Sequence, residues 1–174
     1  MNENSNRVAE YLDQQNNGLY DRILAQRIPT EKRVLRAADR KWEGNLQTLI
    51  DTQHGFEDMA ISSFLRKLPP GGESDIHRHS FEAVGYILKG SGYEVHDGER
   101  VDWSEGDAVF IPANVWHQHV NLSPSEEAIM LLTTNWPLLL HLNVCTMEPA
   151  PSWEEALSRP SVYVDPFLHG AKSR

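Results

Sequence analysis

Short apolar segments separated by turn-forming residues run through the chain from residue 46 to residue 134. They are rich in Val, Ile, Leu, Phe and Tyr and are bounded by Gly, Pro, Asp and Asn, as is typical of β-strands. Asp97 and Gly98 have the composition of a two-residue hairpin turn. Many short strands with frequent turns predict an all-β sandwich or barrel. The predicted strands are 32–36 (a strand or an arm), 46–51, 59–68, 83–89, 93–96, 101–103, 108–111 and 128–134, with 138–142 as a continuation.

Residues 6–27 follow a helical period instead. Apolar residues such as Val8, Tyr11, Leu12 and Ile23 recur as on one face of an amphipathic helix, which we expect to pack on the barrel or on a partner subunit. A DNA-reading helix-turn-helix would need a basic second helix and greater length, and neither is present. The predicted organisation is a short helical N-terminal segment over residues 1–30, a barrel over residues 31–148 and a C-terminal tail packing on the barrel over residues 149–174.

Composition narrows the class of protein. A chain of 174 residues with 40% hydrophobic and 24% charged residues is typical of one globular domain. The net charge of −9 disfavours binding to a phosphate backbone. Cys145 is the single cysteine, which excludes an internal disulfide, and no apolar stretch is long enough for a signal sequence or a membrane span. We therefore predict a cytoplasmic protein that binds neither nucleic acid nor membrane.

Two pairs of histidines carry the candidate chemistry. His77 and His79 are two residues apart, and His117 and His119 repeat that spacing. Alternate side chains of an extended strand point to the same face, so each pair can present both imidazoles to one point. Imidazole binds Fe, Zn, Ni, Cu and Mn, so this spacing favours a metal site without selecting the metal.

The spacing around these histidines resembles the two sequence motifs of the cupin superfamily. The anchors are Gly71, His77, His79 and Gly90 in the first motif and Gly106, Pro112, His117 and Asn121 in the second. The resemblance implies a cupin-type antiparallel jelly-roll barrel that holds one divalent metal ion through His77, His79 and His117.

The residues around both motifs are similar to those of the gentisate 1,2-dioxygenase group, in which histidines alone hold the iron. Where many cupins carry a metal-binding glutamate, this chain has Ala83. Glu82 is adjacent, but strand alternation points it to the opposite face unless a bulge re-aims it. The gentisate group also tends to carry an arginine where this chain has Gly85, and its chains usually contain two cupin domains. The resemblance therefore implies a single-domain cousin of that group.

These features predict an iron(II)-dependent dioxygenase that cleaves a C–C bond of a small oxygenated, aromatic substrate. Three facial histidines on an octahedral ion would leave positions for a bidentate oxygen substrate and for O2. Zn, Mn and Ni suit the same ligands. Two rival functions stay open at this point: a Zn-dependent lyase, isomerase or hydrolase, and a non-catalytic small-molecule-binding cupin.

Three further residues receive predicted roles from their strand faces. His119 shares a face with His117 and is the candidate catalytic residue, orienting a ligand or moving a proton; a hydrogen-bonded core histidine is the alternative. Phe81 and Gly85 share the predicted inner face and are candidate substrate-binding residues. For Gly85, a packing or bulge role is the alternative. Arg78 should point away from the pocket.

The remaining predictions concern assembly and the other histidines. Val84, Tyr86 and Leu88 make the outer face of segment 83–89 apolar, so we expect a second subunit to cover it in a homodimer, or a helix of the same chain to do so. The spacing of the other histidines indicates no site, and we expect them on the surface or in packing roles. They are His54, His96, His141 and His169.

Overall fold

The computed structural model of the chain describes residues 34–51, 56, 60–159 and 161. The helical segment predicted for residues 1–30 lies outside these residues, as do residues 162–174 of the predicted tail. Among the described residues, no helix is long and apolar enough to cross a membrane.

Ten strands build the described part of the chain into two sheets. In chain order they are β1 (Leu46–Ile50), β2 (Ser62–Leu68), β3 (Ile76–His79), β4 (Ala83–Lys89), β5 (Ser91–His96), β6 (Glu99–Ser104), β7 (Ala108–Ile111), β8 (His117–Asn121), β9 (Ala128–Thr134) and β10 (Met147–Ala150). The first sheet has the strand order β1-β2-β9-β4-β7, and the second sheet has the order β10-β3-β8-β5-β6. Every recorded strand pair is antiparallel, and the predicted all-β jelly-roll architecture is confirmed.

The first sheet shows why these segments form strands. Buried and exposed residues alternate along β4, and β9 alternates between buried and half-buried residues, as expected when one face of a pleated strand covers a core. Ile87 and Met130 pair across these two strands and are fully buried. Burying such side chains contributes about 1.5–3 kcal/mol each, so this row of apolar residues holds the sheet on its core.

The turns confirm the predicted hairpin between β5 and β6. Asp97 and Gly98 have φ angles of 48° and 87°, the left-handed conformation that a two-residue turn of the primed type requires. The turn sets the register in which Glu94 pairs with Val101. It therefore also determines which β5 side chains face inward.

Asn121, the last residue of β8, ties two connections to the barrel, the one between β2 and β3 and the one between β8 and β9. Its side-chain Nδ2 donates hydrogen bonds to the carbonyl oxygens of Leu68, Pro69 and Glu126 at 3.2, 2.9 and 2.8 Å. Its Oδ1 accepts a hydrogen bond from the backbone N–H of Ser123 at 3.0 Å. Because Asn121 is 2% exposed, these bonds satisfy groups that water reaches poorly.

The predicted continuation of β9 over residues 138–142 is wrong. Residues 138–142 do not continue β9, because a helix, α1, spans Trp136–His141. Pro137 lies at its N-terminus, where the missing N–H has no helical acceptor and the fixed φ favours a helix. Residues 34–36 form no strand either and lead into a 3-10 turn at Ala37–Asp39.

The segment after residue 146 contains two elements that the hydrophobic pattern did not indicate. Strand β10 spans residue 148, the predicted end of the barrel, and pairs with β3 at the edge of the second sheet. Helix α2 (Trp153–Ser158) follows, with the Ser152 hydroxyl accepting a hydrogen bond from the backbone N–H of Glu155 at 3.2 Å. Ala156 of α2 is buried in a small cluster with Trp116, so α2 packs against the second sheet.

Candidate metal centre

Two strands of the second sheet bring three histidines together. His77 on β3 pairs directly with His117 on β8, and His79 lies two residues along β3. One nitrogen from each ring lies within 4.8 Å of the others. Among the described residues, this is the only group of three or more His, Cys, Asp or Glu residues suited to a metal ion.

Backbone carbonyls orient all three rings in the same way. Each Nδ1 lies within hydrogen-bonding distance of the carbonyl oxygen two residues away in sequence. The distances are 2.8 Å from His77 to Asp75, 2.7 Å from His79 to Phe81 and 2.9 Å from His117 to Val115. An Nδ1–H that donates to a carbonyl leaves the Nε2 lone pair free for a metal. The Nε2 of His117 is buried without a hydrogen-bond partner among the described residues, as a metal ligand would be.

Burial keeps these imidazoles neutral. Desolvation is the largest effect on each ring, lowering the pKa of His77, bringing that of His79 to about 4, and holding that of His117 well below its usual value. The hydrogen bonds to the carbonyls oppose this effect but do not overcome it. A neutral imidazole is the form that binds a metal, so the residues present fit a divalent cation.

No carboxylate joins the three histidines among the described residues. Ala83 is buried at the position where many cupins have a glutamate, and Glu82 is exposed. The backbone N–H of Glu82 donates to the Asn135 side chain at 2.9 Å. The strand alternation expected for Glu82 and Ala83 is therefore the one observed. Because no carboxylate joins the histidines, a bound divalent ion would keep its two positive charges.

His119 is held by a residue that the sequence analysis missed. Its Nδ1 lies 2.6 Å from Oε1 of Glu94, and the two residues are 1% and 0% exposed. Desolvation raises the pKa of Glu94 to about 8 and holds the pKa of His119 well below its usual value. Both shifts favour uncharged partners, so the contact is a buried hydrogen bond and not an ion pair at neutral pH. His119 fits either of its predicted roles, which stay predictions.

The register of β5 on β8 explains this contact. Glu94 pairs with His119, and His96 pairs with His117. The alternation of β5 places Glu94 and His96 on one face, which is the only sequence signal that could have found them. The ring of His96 lies 6.3 Å from that of His117 at 86°, and its Nε2 is buried with no partner among the described residues. His96 is therefore a packing neighbour of the centre, outside the group of three.

Phe81 forms one wall of the centre. Its ring stacks on that of His79, with centroids 3.7 Å apart and planes at 5°. Phe81, Arg66 and His119 line the small cavity into which the three histidines project. Arg66, on β2, was also missed, although alternation from the buried Ser62 and Leu68 puts it on the inward face.

Gly85 lies deeper in the first sheet. A Cβ atom at this position would stand 3.3 Å from both Leu132 Cδ2 and Met130 Cε, so core side chains occupy the space beside it. This contact favours the packing alternative, and a role in substrate binding stays a prediction. Arg78 points away from the centre, as expected, and donates two hydrogen bonds to Glu148 at 3.1 and 2.9 Å.

Comparison with known families agrees with this geometry. Residues 64–134 match the model of the cupin domain. This segment is a cupin domain. It contains all three candidate ligand histidines and strands of both sheets, so the cupin domain carries the candidate metal centre.

Individual relatives match only part of their own length. The chain is 32% identical over 107 residues to gentisate 1,2-dioxygenase from Ralstonia sp., covering 59% of this chain and 30% of that protein. It is 30% identical over 98 residues to auxin-binding protein 1 from Arabidopsis thaliana, covering 51% of this chain and 48% of that protein. The structure of a salicylate 1,2-dioxygenase from Pseudaminobacter salicylatoxidans superposes with a TM-score of 0.54 at 21% identity, over 60% of this chain and 31% of that one. This last likeness concerns the fold alone.

Proposed function

We propose that the cupin domain is an iron(II)-dependent dioxygenase that cleaves a C–C bond of a small oxygenated, aromatic substrate. The observation that carries the proposal is the convergence of His77, His79 and His117 as neutral ligands, with no carboxylate in the group among the described residues. Such a set leaves coordination positions for substrate oxygens and for O2. The similarity to gentisate 1,2-dioxygenase supports the same chemistry.

The three histidines would hold the ion through Nε2. Bound Fe(II) would supply binding positions for both reactants and a route for electrons from substrate to O2. Both oxygen atoms end in the product and the substrate supplies the electrons, so the overall reaction needs no external reductant. The protein's part is then to position the substrate and to handle protons.

His119 is the proposed group for proton handling. With Nδ1–H donating to Oε1 of Glu94 at 2.6 Å, Nε2 would be the ring nitrogen that accepts a proton from a substrate hydroxyl. Burial favours the neutral imidazole, the form that can accept this proton. Phe81 supplies an apolar wall against a substrate ring, since stacking on His79 fixes its orientation.

A second candidate function is non-catalytic binding of a small molecule. It is favoured by the similarity to auxin-binding protein 1 over about half of each chain, at 51% of this one and 48% of the other. A zinc-dependent lyase, isomerase or hydrolase would use the same three ligands, with a metal-bound water of lowered pKa.

Metal analysis and oxygen uptake separate these functions. The protein is purified without oxygen, its metal is identified, and O2 consumption is followed with catechols, hydroxybenzoates and β-diketones. We expect iron and substrate-dependent uptake, which a His79→Ala variant should lose and a His141→Ala variant should keep. Zinc without uptake would instead support the lyase, isomerase or hydrolase, and protein that binds no metal would support the binding module.

We also propose that the protein is a cytoplasmic homodimer. The outer face of the first sheet carries a contiguous apolar patch of Val84, Tyr86, Leu88 and Phe110, each between 44% and 51% exposed. Val84 pairs with Phe110 across β4 and β7, so the patch is continuous. Covering it with the same patch of a second subunit would remove apolar surface from water.

A further inference from the structure

A cavity of about 470 Å³ lies between β6 and β7, the edge strands of the two sheets. Its walls come from the end of β5, from β6 and β7 and from the turn between those two strands. The lining residues are His96, Val101, Asp102, Trp103, Asp107, Ala108, Val109 and Phe110. None of them lines the cavity of the three histidines, so in the described part of the chain the two cavities have separate walls.

Two of these side chains each keep a buried nitrogen without a hydrogen-bond partner among the described residues. They are Trp103, whose Nε1 always donates, and His96, whose Nε2 donates or accepts according to its tautomer. Trp103 is only 3% exposed, and a buried polar group without a partner costs free energy. A ligand in the cavity that formed these hydrogen bonds would recover that free energy.

Packing against β5 fixes the position of the Trp103 indole. Trp103 pairs with Gly92, where a Cβ atom would stand 2.5 Å from Cζ2 and Cη2 of the ring. The ring therefore lies directly against the backbone at a position where only glycine leaves room. Trp103 also belongs to the core cluster that contains Ile87 and Val109. A ligand would thus meet a donor that is already in place, which lowers the entropy cost of binding.

The other lining residues indicate the class of ligand. Val101, Val109 and Phe110 supply apolar walls, which suit a hydrocarbon body. Asp107 accepts hydrogen bonds from the N–H and the hydroxyl of Ser104 at 2.8 and 2.9 Å, and these uncharged donors leave its negative charge in place. That charge disfavours an anion in the same cavity. A hydroxyl group can accept from an indole N–H and can bond to either tautomer of histidine.

We propose that this cavity is a second ligand site, which binds a small uncharged hydroxy compound, an alcohol or a phenol. The ligand's hydroxyl end accepts a hydrogen bond from Trp103 Nε1 and lies beside His96 Nε2. Its hydrocarbon body contacts Val101 and Val109. The site does not depend on the proposed dioxygenase chemistry, since none of the three candidate metal ligands lines it.

Cyclohexanol and cyclohexanecarboxylate test this assignment by NMR titration of ¹⁵N-labelled protein. The protein is prepared with Zn²⁺, whose filled d shell causes no paramagnetic broadening. Each of the five tryptophans gives one indole N–H signal, and Trp103→Phe identifies that of Trp103. Cyclohexanol should shift this signal until the site is saturated. The signals of Trp116 and Trp153 should stay in place, because these indoles already donate to Arg159 and Gln118.

The same titrations give the affinities. We expect cyclohexanecarboxylate to bind at least about tenfold more weakly than cyclohexanol, because Asp107 repels it. Asp107→Asn should bring the two affinities closer together. Trp103→Phe keeps an aromatic ring but loses the donor, so cyclohexanol binding, followed on backbone N–H signals, should weaken by about fivefold. Trp153→Phe is the matched control and should bind cyclohexanol as the wild type does.

Either of two results would overturn the inference. A Trp103 signal that stays in place up to the solubility limit of cyclohexanol would show that water alone occupies the cavity. Equal binding of cyclohexanecarboxylate would refute the proposed class of ligand. If Trp103→Phe does not fold, backbone-based assignment identifies the Trp103 signal in the wild type, and the two ligands decide.

Phe110 also belongs to the apolar patch proposed for the dimer, so a second subunit could cover part of the cavity. The titration is therefore repeated with Val84→Lys, which alters that patch and leaves the cavity lining unchanged. Binding of cyclohexanol by either protein supports the site, and binding by neither refutes it.

Discussion

At the scale of single residues, backbone carbonyl groups determine which ring nitrogen of each candidate ligand histidine can bind a metal ion. His77, His79 and His117 each place Nδ1 on a carbonyl oxygen two residues away, so the three Nε2 atoms are the ones left to bind an ion. His119 uses its Nδ1 differently, on the carboxyl group of Glu94. This difference distinguishes the three candidate ligand rings from His119, the ring proposed for proton transfer.

The first prediction concerns a ligand histidine. His117→Ala should lose most of the bound metal, because two imidazoles cannot complete a tight site for a divalent ion. Metal content after dialysis, measured by elemental analysis, checks this result. His141→Ala is the control, since His141 is exposed and its Nδ1 lies 2.8 Å from the Pro137 carbonyl. Full metal retention in His117→Ala would contradict the assignment.

The second prediction concerns the pH dependence of stability in the metal-free protein. Glu94 has a pKa of about 8 in the fold against 4.5 as its ordinary value, so unfolding releases its proton across this window. The stability it contributes is present below about pH 4.5 and is lost as the pH rises to about 8. The slope from this group is at most about 1.4 kcal/mol per pH unit.

The buried histidines act in the opposite direction. Their lowered pKa values cost stability as the pH falls below 6.5, so Glu94 dominates the effect of these groups above that pH. Denaturant titrations between pH 6.5 and 8 should show declining stability in the wild type and a flatter profile in Glu94→Gln. Glu82→Gln, at an exposed position, should keep the wild-type slope, and a decline shared by all three proteins would count against Glu94.

At the scale of elements, strand register assembles the centre. β3 and β8 bring His77 opposite His117, and β5 brings Glu94 opposite His119. The connections before β3 and after β8 must hold that register, and Asn121 donates hydrogen bonds to the carbonyls of Leu68, Pro69 and Glu126 there. Local turn chemistry and site geometry are thereby linked.

The third prediction follows from that link. Asn121→Ala should destabilise the protein by about 3 kcal/mol, because it leaves buried carbonyl groups without donors. Asn135→Ala removes one accepted hydrogen bond, from the Glu82 N–H, and should cost about 1 kcal/mol. Urea denaturation of both variants gives the loss in free energy of unfolding. Equal losses would show that the Asn121 hydrogen bonds contribute no more than the single Asn135 hydrogen bond.

At the scale of the whole molecule, the two sheets contribute different groups of residues. The second sheet supplies the candidate ligands, while the first supplies Arg66 and most of the large apolar core. The first sheet also carries the exposed patch around Tyr86 and Phe110. We therefore expect ligand binding at the histidine cavity and self-association through the outer face of the first sheet.

The fourth prediction tests that outer face. Phe110→Lys should convert a dimer to a monomer, since a lysine in the middle of an apolar self-contact loses its hydration. Light scattering coupled to gel filtration measures the mass. Val101→Lys, at an exposed position on the second sheet, should stay dimeric. A wild-type monomer would refute the dimer.

Features of the fold and of the site could be predicted from the sequence where neighbouring residues determine them. The histidine spacing, the Asp97-Gly98 turn and the alternation that separates Ala83 from Glu82 all act within a few residues, where period and φ preference determine the outcome. The strand predicted for residues 138–142 was wrong for a local reason as well. Pro137 suits the start of a helix as readily as an interruption of a strand.

The sequence by itself determined an all-β fold and two pairs of histidines that could bind a metal, because strand periodicity and residue spacing depend on near neighbours. The resemblance of the motifs to those of cupins singled out three of the four rings. Only the tertiary structure brought Glu94 to His119 and Arg66 to the edge of the histidine cavity. These two arrangements depend on which strands pair and which sheets face each other. Burial and strand register between residues far apart in sequence determine this pairing. A short segment of the sequence does not contain that information.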